Sequence, residues 1–137
     1  MAERALELMV ARVQERKTFG RQLASHGVVL DNIARSRIKL EAARLLVLNA
    51  AAKMDQVGPK AAKKEIGIAK VAVPNIALDI VDKAVQMFGA AGVSQDTPLA
   101  YFWGALRTLR LADGPDEIHI RQIAKQEIAD QNRKAKL

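Results

Sequence analysis

The chain contains no cysteine and only two histidines, His26 and His119. Disulfides, thiolate metal sites and thiol nucleophiles are thereby excluded, and a histidine-based metal centre is not expected. Aromatic residues are scarce, at 4% of the chain. The apolar set is instead rich in Ala, Leu, Ile and Val, which favours helices that approach one another closely. No uninterrupted apolar run approaches the roughly 20 residues that a membrane-spanning helix needs. Near the start, Glu3, Arg4 and Glu7 interrupt the apolar stretch that a secretory leader would require. A soluble, intracellular protein without a transmembrane segment is expected. No segment alternates with period two, so no strand is expected.

What remains is one domain's worth of chain. Half of the 137 residues are apolar, enough to bury a core of useful size. The formal net charge is +7, but Lys and Arg are scattered and mixed with acids. Only Lys60, Lys63 and Lys64, and Arg133, Lys134 and Lys136, cluster. A solvated basic surface is the first reading and a site for cofactor phosphates the second. Nucleic acid is not an expected partner, because no aromatic stacking surface accompanies the charge.

Periodicity predicts five helices. The first covers Ala2 to Arg16, with Leu6, Met9, Val10 and Val13 on one face. The second runs from Gly27 to Gln56. In it Ile33, Leu40, Val47 and Met54 repeat every seven residues, and Ser36, Ala43 and Ala50 fill the alternate seam positions. The third runs from Pro59, suited to a first helical position, to Phe88. Its stripe of Ile66, Ala69, Val73, Ile76, Ile80, Ala84 and Met87 continues in phase across Pro74. The fourth covers Pro98 to Ala112 with Thr97 as N-cap, and the fifth Pro115 to Arg133. The expected fold is all-α, an up-down bundle of four to five helices whose second and third members are longest and antiparallel.

The candidate chemistry lies at the breaks between helices. Three stand out: Glu15-Arg16-Lys17-Thr18-Phe19-Gly20, residues 86–92 (Gln-Met-Phe-Gly-Ala-Ala-Gly) and residues 111–118 (Leu-Ala-Asp-Gly-Pro-Asp-Glu-Ile). At such places backbone amides and glycines can approach a ligand closely.

In order, spacing and helix plan these segments resemble the C-terminal helical domain of the acyl-CoA dehydrogenase family, over the whole chain. That family opens the domain with Arg-Lys-x-Phe-Gly, continues into Gln-x-x-Gly-Gly-x-Gly and closes on a segment usually reading Tyr-Glu-Gly-Thr. The Asp-Gly-Pro-Asp-Glu form is most similar to the subgroup of family members ten and eleven. The resemblance implies FAD as cofactor, an acyl-CoA thioester as substrate, an electron-transfer flavoprotein or similar acceptor as partner, and a homo-oligomer.

By position, Arg16 matches an arginine that contacts the FAD pyrophosphate across the dimer interface, as a guanidinium can by pairing its donors with phosphate oxygens. Phe19 matches an aromatic beside the adenine. Gln86 matches a glutamine that hydrogen-bonds the FAD of the neighbouring subunit, Gly89 and Gly92 match glycines that let backbone amides reach that cofactor, and Glu117 matches a cofactor-binding position. Ala112 and Gly114 fall at the substrate. Asp113 falls where most of the family has the glutamate that removes the α-proton of the thioester. The plain alternatives are a surface arginine at a helix end, a core aromatic, helix-capping glycines and, for Asp113, a cap for the fifth helix. Four departures stand out: Ala112 for Tyr, Pro115 for Thr, Ala90 for the second glycine, and Gly27 for a frequent Gln. His119 is assigned no chemistry. The family's other two domains are not in this sequence, so it reads as one domain of a longer enzyme, mitochondrial in a eukaryote or cytoplasmic in a bacterium.

Overall fold

The computed structural model describes residues 1–136. Five helices organise them: α1 (Ala2–Glu15), α2 (Gly27–Val57), α3 (Lys63–Phe88), α4 (Leu99–Leu109) and α5 (Asp116–Lys134). The all-α bundle is as expected, with α2 and α3 longest at 31 and 26 residues. These two are antiparallel: Val57 and Lys63 adjoin at the turn, while Lys39 pairs with Asp79 at 2.9 Å further along.

The third helix is the hub. It packs against α1, α2, α4 and α5, and from residue 64 to residue 81 none of its residues is exposed. Gly67, Pro74, Ala77, Ile80, Val81 and Ala84 are buried. Ile80, Val81 and Ala84 join Ala5, Leu6 and Met9 of α1 and Leu99 and Leu106 of α4 in one core. Each large aliphatic side chain removed from water there contributes about 1.5–3 kcal/mol. The helix runs unbroken through Pro74, whose ring withholds the donor that would have served the Lys70 carbonyl.

Several local expectations need correction. The buried seam of α2 is Val29, Ser36, Ala43 and Ala50, a strict seven-residue repeat. Ile33 and Leu40 pack at its edge, but Val47 and Met54 are exposed. Small residues let α3 come close, so the larger side chains beside them are pushed to the rim. The third helix begins four residues after Pro59. Gly58 ends α2 with φ 80°, and Ala62, fully buried, closes a turn by donating its amide to the Gly58 carbonyl. Thr97 does not cap α4; its hydroxyl donates to the Ala91 carbonyl, beside that of Ser94, and Pro98 stands at the cap. That helix stops at Leu109 rather than Ala112.

A short β-hairpin also appears where no strand was expected. Strands β1 (Lys17–Thr18) and β2 (Arg21–Gln22) pair antiparallel, with Lys17 opposite Gln22 and Thr18 opposite Arg21. Its two tip residues, Phe19 and Gly20, have φ of 50° and 80°, the left-handed pair that turns a tight hairpin. Two-residue strands are too short to display an alternating pattern. No helix among the described residues is long and apolar enough to cross a membrane.

Candidate functional site

Two of the three predicted segments meet. The C-terminal end of α1, the hairpin and the C-terminal end of α3 enclose an open cavity of about 470 Å³. Arg12, Arg16, Thr18 and Leu23 line one side and residues 86–91 the other. Arg16 thus shares a cavity with Gln86 and Gly89. Arg16 leaves α1 in an extended conformation, which turns it out of the helix toward the hairpin. Arg12 was not singled out from sequence. Its guanidinium lies over the Phe88 ring, 5.3 Å from the centroid, and its buried Nε has no hydrogen-bond partner among the described residues.

The lining carries two guanidiniums and no carboxylate. Such a donor set fits an anionic group of phosphate type, since each guanidinium offers paired N–H donors.

The glycines divide by role. Gly89 caps α3 with φ 64° and ψ −136°, a conformation open to glycine, and its amide donates to the Gln86 and Val85 carbonyls. Gly92 is buried. A Cβ there would stand 2.6 Å from the Val85 carbonyl oxygen and 2.9 Å from the Val85 Cα. Packing alone therefore requires glycine at 92. Neither Gly92 nor Phe19 lines the cavity. Phe19 is 98% exposed at the hairpin tip, so the core alternative does not hold.

The third segment forms a separate loop between α4 and α5. Leu111 and Ala112 donate their amides to the Thr108 carbonyl. Asp113 and Gly114 then reverse the chain with φ of 54° and 100°. Asp113 is exposed, while Ala112 and Gly114 are half-buried. Pro115 occupies the N-cap of α5 and no side chain caps that helix, so Asp113 is not its cap. Glu117 is exposed in the first turn.

Beneath the loop lies a polar cluster that sequence reasoning missed. Asp116 is buried, and its Oδ2 accepts from Arg110 Nε at 2.7 Å and Asn75 Nδ2 at 3.0 Å. Burial pushes its carboxyl upward. The bonds from Asn75 and Arg110 and the charges of Arg110 and Lys70 outweigh that and hold it below the ordinary carboxylate range. Lys70 Nζ donates to the carbonyls of Leu109 at 2.7 Å and Gly114 at 3.3 Å. His119 Nε2 lies 3.3 Å from the Asp113 carbonyl oxygen, where only a protonated Nε2 can donate.

The helical fold agrees with the family that the sequence resembles, and so do comparisons with known proteins. The model described as "Acyl-CoA dehydrogenase, C-terminal domain" matches residues 1–128. The chain belongs to the acyl-CoA dehydrogenase family, as its C-terminal helical domain. Acyl-CoA dehydrogenase family member 11 of Rattus norvegicus is 52% identical over 136 residues, covering 99% of this chain and 18% of that protein. A solved relative from Mycobacterium abscessus superposes with a TM-score of 0.92 at 44% identity, over 95% of this chain and 32% of the other. Butyryl-CoA dehydrogenase from Megasphaera elsdenii gives 0.86 at 28% identity, over 93% and 33%. PigA, solved as an FAD complex, gives 0.83 at 26% identity, over 91% and 32%. The chain spans between about an eighth and a third of the length of the relatives it matches.

Proposed function

We propose that this chain is the C-terminal domain of an FAD-dependent acyl-CoA dehydrogenase and supplies cofactor contacts, the base and an oligomer surface. The observation that carries the reading is the convergence of Arg16 and Gln86 on one cavity that holds two cations and no acid, in a chain of this family. When bound, FAD would accept the hydride from the β-carbon of the acyl group. Arg16, with Arg12 beside it, would hold the pyrophosphate. Gln86 and the helix end at Gly89 would hydrogen-bond the cofactor, with Phe19 at the hairpin tip beside it and Gly92 holding that helix end in place. Glu117 would contact FAD from the first turn of α5, beside the separate loop between α4 and α5. Asp113 would take the α-proton of the thioester, and Ala112 and Gly114 would shape the substrate's entrance. A positioned base of this kind contributes about 100- to 10,000-fold in rate. Asp113 is exposed in this domain, so the dry surroundings that such a base needs would come from other domains of the enzyme. Electrons would leave to an electron-transfer flavoprotein or similar acceptor. The setting would be fatty-acid oxidation inside the cell, mitochondrial in a eukaryote or cytoplasmic in a bacterium.

The test is FAD titration of this chain alone and within the longer flavoprotein, read by flavin fluorescence. Saturable binding by the longer protein, weakened by loss of Arg16, is expected. Binding indifferent to Arg16 would remove the cavity from the cofactor site.

A second reading, a non-catalytic oligomerisation module, draws on the outer face of α2. Leu30, Ile38, Leu45 and Leu48 lie exposed there at helical spacing, a patch that a second copy could cover. Sedimentation should show self-association of the isolated chain. A monomer at high protein concentration would count against that surface.

A further inference from the structure

One lysine from α3 grips both ends of the loop that carries Asp113. The two carbonyls that Lys70 holds, those of Leu109 and Gly114, bracket residues 110–113. A lysine that orders its long side chain to reach two backbone carbonyls draws them toward one point. It does so with charge-assisted bonds stronger than neutral ones. Arg110 closes the same loop twice. Its carbonyl accepts the Asp116 amide at 3.2 Å, and its guanidinium meets the buried Asp116 carboxylate. Asn75 ties that carboxylate back to α3 at 3.0 Å, and its amide also donates to the Val71 carbonyl at 2.7 Å.

The loop needs such a grip. Asp113 sits at φ 54°, a left-handed conformation that Asp adopts more readily than most side chains but less readily than glycine. Among the described residues no side chain bonds the Asp113 carboxylate. Its direction is therefore set by the backbone beneath it.

We infer that Lys70, with the Arg110–Asp116 pair, is a positioning device that fixes the 110–115 backbone and so aims the Asp113 carboxylate. The inference rests on the reading of Asp113 as the base. Lys70 touches no reacting atom and acts through the loop.

The experiment uses Lys70→Met and the milder Lys70→Gln, beside Asp113→Asn, in the assembled flavoenzyme containing this domain. The readouts are bound flavin, KM for acyl-CoA and the rate of anaerobic flavin reduction. Lys70→Met is expected to leave flavin content and KM within about twofold. It should slow flavin reduction about 100-fold, the scale of a displaced reacting group. Lys70→Gln, which keeps a donor, should slow it less and serves if Lys70→Met does not fold. The double variant Lys70→Met/Asp113→Asn should be no slower than Asp113→Asn alone. An unchanged rate in Lys70→Met, or a fully additive double variant, overturns the inference. So does a rate loss matched by equal flavin loss. If Asp113→Asn reduces its flavin at the parent rate, the base reading fails on its own. The clamp is then judged by amide hydrogen exchange in the 137-residue chain. Lys70→Met should speed exchange at Leu111, Ala112 and Asp116 by about tenfold or more while leaving the middle of α2 unchanged. Unchanged loop exchange overturns the clamp itself.

Discussion

Gly92 and Gly104 should respond to the same substitution with opposite signs. Gly92 lies in the turn after α3, where an added methyl would stand 2.6 Å from the Val85 carbonyl oxygen, 2.9 Å from its Cα and 3.1 Å from Phe88 Cβ. Two of those three atoms are backbone, so no side-chain rotation relieves the clash. Gly104 lies inside α4, is exposed, and has nothing within 4 Å of an added methyl. Gly92→Ala should cost about 1–3 kcal/mol, the usual range for overpacking. A few tenths are returned because alanine restricts the unfolded chain. Gly104→Ala should stabilise by about 0.5–1 kcal/mol, because alanine is the better helix former. Urea denaturation of the isolated chain measures both. The pair should differ by about 1.5–4 kcal/mol, or roughly 6 °C or more in Tm for a domain of this size. In the assembled flavoenzyme, Gly92→Ala should also loosen flavin, because Val85 and Phe88 belong to the helix end that forms one wall of the cavity. Equal stability of Gly92→Ala and the parent would refute the packing argument. Stability retained with flavin lost would instead assign Gly92 a direct part in cofactor binding.

Three further outcomes are expected. Arg16→Ala in the assembled flavoenzyme should weaken flavin retention by about 1.5–3 kcal/mol, the scale of a charge-assisted bond, with little change in Tm; lower Tm at unchanged flavin content would make Arg16 a helix-end surface residue. Asp113→Asn should leave fold and flavin content intact and slow anaerobic flavin reduction by acyl-CoA about 100- to 10,000-fold; since Asp113 caps no helix, a large loss of stability would contradict the structure. Acid should weaken the fold through three carboxylates held below their ordinary range. The bond from Arg37 holds Glu3 there; burial pushes Asp79 and Asp116 upward, and the bonds from Lys83 and Lys39 to the first and from Asn75 and Arg110 to the second outweigh it. A depressed folded pKa contributes stability that is present above the unfolded value, about 4 for these groups, and lost as pH falls through the folded one. Chemical denaturation midpoints should therefore be flat from about pH 7 to 5 and fall below about 4. Asp116→Asn should flatten that fall, and a midpoint indifferent to acid would dissolve the argument.

The helices were legible because each buries a face at helical spacing. In α1, Leu6, Met9 and Val13 were expected inside and are buried. The in-phase stripe across Pro74 correctly implied one helix. Errors gathered where period carries no information. The true start of α3 lies four positions after Pro59, because the buried Ala62 closes a turn that a periodic pattern cannot register. The Thr97 hydroxyl serves the 89–92 turn rather than α4. The hairpin was hidden because two residues make no alternation, although Phe19-Gly20 carried its turn chemistry. In α2 the seven-residue repeat is visible in the sequence but size misleads, because close approach by α3 buries the small residues and leaves Val47 and Met54 exposed.

For the site, segments were legible and their supports were not. Arg16, Gln86 and Asp113 announce themselves by lying at helix ends within recognisable runs. Lys70, Asn75 and Asp116 do not: they lie 5 to 46 positions apart, and pattern reading assigns a polar residue within an apolar stripe to the solvent side. That assignment fails for a helix surrounded by other helices. Between residues 64 and 81, α3 has no exposed position, so its polar side chains lie against neighbouring elements, and four of the five, all but Glu65, find a partner there. Lys64 meets Glu127 and Asp130, Lys70 meets two carbonyls, Asn75 meets Asp116, and Asp79 meets Lys39 and Lys83. Two of these four, Lys70 and Asn75, reach the same loop. Lys70 pins the backbone at Leu109 and Gly114 and Asn75 ties Asp116 at the start of α5, so these two polar interruptions of α3 converge on the segment that carries Asp113.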